Sequence, residues 1–306
     1  VLAFTYMKNL LSLCAAAVLL ASCTNSSSEP TTELRNDTIT TSKSSGQVPA
    51  ADTSAYSGPI ADAAAILARP QVPILCYHHI RDIQMASRAD RGYEVTVAQF
   101  KAQMKALADS GYQTILPDQL YAYLTKGASL PPKPVMITYD DTSEEQFSIG
   151  KTEMDKYGFK GVYFIMTISI GRPRYMTKDQ IKQLADEGHV IGSHTWDHHR
   201  VDRLKNENTI DYRGEKKVVN EWDFQLANTR KQLEEITGKP VYDFAYPFGI
   251  WSKEALPEVE KRGYKLAYQL STPRDSAMPL YTVRRMIVSP EWSASGVIKV
   301  MKSTFK

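Results

Sequence analysis

Between Val72 and Val288 the chain alternates about seven times between a short apolar run and an amphipathic stretch. That rhythm constrains the fold more than any single residue does, because it demands strands separated by helices. Val72–Tyr77, Tyr112–Leu116, Pro134–Tyr139, Gly161–Thr167, His189–Ser193, Val241–Ala245, Leu266–Leu270 and Tyr281–Val288 read as strands. Thr96-x-x-Gln99 and Thr177-x-x-Gln180 are capping boxes that open helices. Val97, Phe100, Met104 and Leu107 line one face of the first, and Ile181 and Leu184 point inward from the second. Further helices are expected over 118–125, 143–157, 222–237, 253–262 and 294–304, with 200–221 as a charged surface excursion. The pattern predicts an α/β fold, either a parallel sheet or a (β/α) barrel. In a barrel, function gathers at the C-terminal ends of the strands. His78, Asp140, Asp141, His194 and Tyr246 all fall at such ends.

Pro134–Tyr139 runs directly into two adjacent carboxylates, Asp140 and Asp141. Neighbouring like charges are costly unless a cation lies between them or the two divide the work. The sharpest partner is Ser193-His194-Thr195-Trp196-Asp197-His198, in which two imidazoles are four residues apart. On a helical turn that spacing puts both on one side. Two neutral imidazoles and a carboxylate form a zinc-type ligand set that leaves a position for water. His199 is the alternative to His198; the spacing favours His198.

Thr138-Tyr139-Asp140-Asp141-Thr142 resembles the Thr-Phe-Asp-Asp-Gly motif of the NodB-type polysaccharide deacetylases (carbohydrate esterase family 4). His194-Thr-Trp-Asp-His198 resembles that family's His-(Ser/Thr)-x-x-His motif. Phe244-Ala-Tyr-Pro-Phe-Gly249 is similar to its third motif, with Ala245 in place of the usual Arg. The resemblance implies a deformed (β/α) barrel of about seven strands, the NodB homology domain, and metal-dependent removal of acetyl groups from polysaccharide. It makes Asp140 the general base and Asp141, His194 and His198 the metal ligands. Zn²⁺ is the default ion, and Co²⁺ or Ni²⁺ also suits the set. Tyr246 is expected to supply a backbone N–H to the oxyanion, and Tyr246 and Trp196 to meet sugar rings. The histidine expected near the C-terminus is missing. Val72-Pro-Ile-Leu-Cys-Tyr-His-His-Ile80 and Tyr281-Thr-Val-Arg-Arg-Met286 resemble the poly-β-1,6-N-acetylglucosamine deacetylases. That likeness implies His78 as general acid and Arg285 as the cation lost at Ala245. The implied substrate is an acetylated N-acetylglucosamine polymer. An O-acetyl esterase on xylan or a similar glycan, and a non-catalytic glycan-binding lipoprotein, are the alternatives.

Residues 1–22 read as a lipoprotein-type signal segment, with Met7 the expected initiator and Leu10–Leu20 the apolar core. Leu20-Ala21-Ser22-Cys23 resembles the bacterial lipobox, so Cys23 is expected to carry lipid and anchor the chain to a membrane. The expected location is the cell envelope outside the cytoplasm, periplasmic or surface-exposed. Residues 23–68 are expected to be the lipidated cysteine and a disordered tether, with 60–68 as one short helix leading into a domain over 69–306. Of the cysteines Cys14, Cys23 and Cys76, only the last lies in that domain, which excludes an internal disulfide. Composition is ordinary for a folded domain, at 42% hydrophobic and 23% charged with net charge +3. No basic run interleaves with aromatics, which argues against a nucleic-acid surface. A monomer is expected.

Overall fold

The computed structural model describes residues 53–82, 92–212, 214–270 and 272–305. The expected signal segment, Cys23 and the tether as far as residue 52 lie outside the described residues. β1 (Ile74–Tyr77) runs into β2 (His79–Ile80), which pairs with β3 (Glu94–Val95). β4 (Gln113–Thr114) lies beside the start of β5 (Pro134–Tyr139). β6 (Val162–Ile165) and β7 (Val190–Ser193) follow. β8 (Asn208–Tyr212) and β9 (Glu215–Val219) form an antiparallel hairpin. β10 (Asp243–Ala245), β11 (Leu266–Leu270) and β12 (Val283–Ile287) complete the set.

Seven of these strands are parallel and form a ring in the order β1-β12-β11-β10-β7-β6-β5. The ring closes where β5 returns to β1, from Ile74↔Met136 to Tyr77↔Tyr139. β7 and β10 are joined by the single pair Ser193↔Phe244, the thinnest seam in the ring. The expected (β/α) barrel of about seven strands is the fold observed.

α1 (Ala63–Ala68), α2 (Val97–Asp109), α3 (Pro117–Lys126), α4 (Thr152–Asp155), α5 (Lys178–Asp186), α6 (Asn228–Thr237), α7 (Ala255–Lys261) and α8 (Ala294–Thr304) accompany the strands. Both capping boxes form, Thr96 with Gln99 and Thr177 with Gln180. Every residue of β1 and β6 is buried, as parallel strands covered on both faces require.

Three local expectations change. The helix expected over 143–157 opens into a wide i→i+5 turn at Gln146–Lys151 before α4. A second wide turn, Asp223–Ala227, precedes α6. Such turns re-aim the side chains they carry and are frequent at functional sites. Residues 53–68 belong to the folded body rather than to a tether. Tyr56 lies 4.8 Å from the Tyr121 ring and 4.7 Å from the Tyr242 ring. Ala61 N–H donates to the Thr125 carbonyl at 2.8 Å, and Ile66 is buried. One tyrosine and one isoleucine dock this segment, too few to show a periodic pattern.

Candidate active site

The site is built where β1, β5, β7 and β12 end. Asp140 still belongs to the ladder, with its N–H donating to the Tyr77 carbonyl at 3.0 Å. The chain then turns through left-handed conformations at Asp141 (φ 73°) and Thr142 (φ 66°). Thr195 and His198 after β7, and Phe248 after β10, are also left-handed. Each such residue costs on the order of 1–3 kcal/mol and persists only where its surroundings over-determine it. Thr142 shows how. Its Oγ1 accepts from Met166 N–H at 2.8 Å, and its carbonyl accepts from Met176 N–H at 3.0 Å.

These turns bring three donor atoms together. Asp141 Oδ1 is 3.4 Å from His194 Nε2 and 3.4 Å from His198 Nε2. One ligand atom from each residue lies within 4.8 Å of the others. His194 Nδ1–H donates to the Ala245 carbonyl at 2.8 Å, which turns Nε2 toward the carboxylates. Asp141 Oδ1 is buried and accepts no hydrogen bond. A buried acceptor aimed at two imidazole nitrogens is poorly satisfied by protein alone. The donor set therefore fits a divalent cation with two nitrogen ligands and one oxygen ligand. Electrostatics agree. Burial works against ionising Asp141, but His194, 3.4 Å away, and the nearby His78 and His198 hold it well below the usual carboxylate range. Burial also disfavours charge on His194, yet Asp140 and Asp141 raise its pKa. Burial and the neighbouring His194 bring His198 down to about 4.

Asp140 stands apart from this set in its partners. Arg285 grips it with two hydrogen bonds, Nη1 to Oδ1 at 2.6 Å and Nη2 to Oδ2 at 2.7 Å. Burial pushes the Asp140 carboxyl up, but the guanidinium outweighs it and holds the group at about 2. Arg285 is itself fixed. It donates to Thr138 Oγ1 at 3.1 Å, which donates onward to the Leu75 carbonyl at 2.9 Å, and it lies 5.0 Å from the Phe164 ring. The Cys76 thiol donates to Asp140 Oδ2 at 3.5 Å. His78 follows β1, with Nδ1 3.9 Å from Cys76 Sγ and its ring against Tyr93. Burial lowers its pKa, against the pull of Asp141 and Asp140.

Residues 127–267 match the family model described as polysaccharide deacetylase. The chain carries a polysaccharide deacetylase domain. It is 29% identical over 228 residues to YxkH of Bacillus subtilis, which bears the polysaccharide deacetylase name; 74% of each chain is covered. It is 23% identical over 236 residues to the poly-β-1,6-N-acetyl-D-glucosamine N-deacetylase of Staphylococcus aureus, covering 71% of this chain and 78% of that one. In three dimensions it overlays on a deacetylase of Streptococcus pyogenes solved with acetate, at a TM-score of 0.66 and 20% identity. That overlay spans 78% of this chain and 100% of the other.

The deacetylase domain gathers most of the residues singled out in the sequence. Asp140, Asp141, His194 and His198 meet inside the family-matching segment, whereas His78, just after β1, and Arg285, in β12, reach the site from outside it. The structure brings His198, not His199, to Asp141. Tyr246 is a correction. Its N–H is spent in the sheet on the Tyr268 carbonyl at 3.0 Å, and its ring is fully buried with the hydroxyl on the Tyr281 carbonyl. It can neither donate to an oxyanion nor stack on a sugar. Trp196 is relocated: its ring neighbours are Tyr212 and Phe224, beneath the β8–β9 hairpin.

Two glutamines of the deacetylase domain escaped the sequence reading. Gln146, wholly buried in the first wide turn, donates through Nε2 to the carbonyls of His78 (2.7 Å) and Asp140. Gln225, in the second, accepts from Trp196 N–H at 2.9 Å and donates to Asp197 Oδ1 at 2.9 Å. Each wide turn thus ties down the backbone of one motif. Only the phase of the turn aims these amides, and no local pattern announces it.

Proposed function

We propose that this deacetylase is metal-dependent and removes N-acetyl groups from a β-linked N-acetylglucosamine polymer. The observation that carries the reading is the division of labour between the adjacent carboxylates. Asp141 Oδ1 faces two imidazoles with no hydrogen bond of its own, while Asp140 is held ionised by Arg285. Asp141, His194 and His198 would hold the ion. A divalent cation there supplies Lewis-acid polarisation of the acetyl carbonyl and makes a nearby water easier to deprotonate. Asp140 takes the proton as the water oxygen forms its bond to the carbonyl carbon. His78 gives a proton to the amide nitrogen as the C–N bond breaks, leaving acetate and a free amine. The charges of Asp141 and Asp140 favour the protonated ring against the pull of burial, and positioned acid–base help is typically worth about 10²–10⁴ in rate. Zn²⁺ is the proposed ion. The name borne by the Staphylococcus aureus relative supports the substrate. Lipid on Cys23, placing the domain in the cell envelope outside the cytoplasm, completes the proposal.

Acetate release from β-1,6-linked N-acetylglucosamine oligomers tests this reading. Activity should vanish on chelation and return with Zn²⁺. Activity that survives complete chelation sinks the metal dependence, and release from acetylated xylan alone sinks the substrate. For the address, Cys23→Ser should free the protein from the membrane fraction; if it stays bound, the anchor lies elsewhere.

A further inference from the structure

Beside the metal loop, the β8–β9 hairpin and α6 enclose a cleft of about 290 Å³. Trp196, Ile210, Tyr212, Phe224, Asn228 and Gln232 are among its lining residues. Inward and outward positions alternate along β8. Asn208, Ile210 and Tyr212 are half-buried while Thr209 and Asp211 are exposed, so one face of the hairpin closes over the cleft. Three aromatic rings form its wall. Trp196 is 4.9 Å from Phe224 and 5.7 Å from Tyr212, and Tyr212 is 5.6 Å from Phe224. Asn228 and Gln232 stand on the α6 side, and Lys217 Nζ lies 5.3 Å from the centre of the Tyr212 ring.

We infer that this cleft is a subsite for a pyranose ring of the polymer, away from the unit that loses its acetyl group. The inference rests on the proposed deacetylase reading. A pyranose ring has apolar C–H faces and polar hydroxyl and acetamido edges. The cleft offers aromatic rings together with amide and ammonium groups. Its volume lies just below the roughly 300–1,000 Å³ typical of small-molecule sites, a scale suited to a single sugar ring rather than to a protein segment. The three rings touch one another, yet each is only half-buried and a cleft remains beside them.

The cleft is coupled to the reacting centre through Trp196. This residue lies between the ligand histidines in the chain, and both of its backbone polar groups are engaged. Its N–H donates to Gln225 Oε1 at 2.9 Å, and its carbonyl accepts from Ile168 N–H at 2.8 Å. A ring held on Trp196 is therefore held in fixed relation to His194 and His198. Binding energy gained there positions a longer substrate.

The test compares kcat/KM for a hexamer and a dimer of β-1,6-linked N-acetylglucosamine. The wild-type protein should prefer the hexamer. Tyr212→Ala removes one wall, and Gln232→Trp fills the cleft from the helix while leaving the aromatic cluster intact. Either should cut the hexamer-to-dimer ratio about tenfold, as expected for losing one aromatic contact and the area it buries. General damage to the active site would lower both substrates together and leave the ratio unchanged. An unchanged ratio in both variants overturns the subsite and leaves the deacetylase reading standing. A wild-type protein that releases no acetate from either oligomer overturns both.

Discussion

Asp140 and Asp243 are each 2% exposed and sit near opposite ends of the same barrel, yet at neutral pH one is ionised and the other protonated. At the C-terminal end of β5, burial pushes Asp140 up, but two hydrogen bonds and the charge of Arg285 hold it at about 2. At the start of β10, burial acts on Asp243 with only the neutral Tyr268 hydroxyl at 3.0 Å to oppose it, and the nearby Asp118 adds to the rise. Asp243 is pushed up to about 8. Depth does not decide whether a barrel carboxyl can take a proton; a fixed cation does. Asp140 is ionised because β12 brings a guanidinium to it, and Asp243 is a polar group of the core.

The strongest way to break this contrast is to put Asp140 in the situation of Asp243. Arg285→Met leaves a buried carboxylate without its partner, which typically costs about 3–5 kcal/mol of stability. Asp140 should then titrate higher, so the acid limb of kcat/KM should move to higher pH and activity near neutrality should fall by at least about 10². A pH profile and a denaturant melt read both effects. Wild-type activity with an unmoved acid limb would show that Arg285 is not what keeps Asp140 ionised.

A second intervention acts at the other end. The folded-state pKa of Asp243 is raised, so between about 4 and 8 the native protein holds a proton that the unfolded chain has released. Its stabilising share is full below the unfolded value and is lost as pH rises through 8. Asp243→Asn keeps an acceptor for Tyr268 and removes the titration. Relative to that variant, the wild type should lose up to about 1.4 kcal/mol per pH unit across this window and level off above it. Parallel stability–pH curves would mean that Asp243 is ionised in the native barrel.

The smallest effect is expected at His189. Burial and the nearby Lys160 lower its pKa to about 3, and its neutral Nδ1 accepts from Gly161 N–H at 3.0 Å. Here the folded value is depressed, so the contribution is full above about 6.5 and is lost as pH falls toward 3. His189→Asn retains an acceptor but cannot charge. It should be about 1 kcal/mol less stable at neutral pH and less sensitive to acid than the wild type. Equal acid sensitivity in thermal melts would remove His189 from the acid response.

Much of this was legible in the chain because it is local. The seven-fold alternation, both capping boxes and the two motifs carrying Asp140, Asp141, His194 and His198 are patterns within a few residues. Arg285 meets Asp140 across 145 positions, and only resemblance suggested it. Tyr246 misled because strand parity spends its N–H on Tyr268, which no motif records. Gln146 and Gln225 were invisible because a wide turn, not a residue pattern, aims their amides at the motif loops. The docking of Tyr56 was hidden for a similar reason: its partners Tyr121 and Tyr242 are distant in sequence.

Metal content measured beside acetate release in Asp140→Asn and Asp141→Asn tests the division between the two carboxylates most directly. Asp140→Asn should bind one divalent ion like the wild type and be inactive, and Asp141→Asn should lose the ion as well as the activity. An Asp140→Asn protein that fails to bind the ion, while Asp141→Asn retains it, would reverse the roles assigned to the pair.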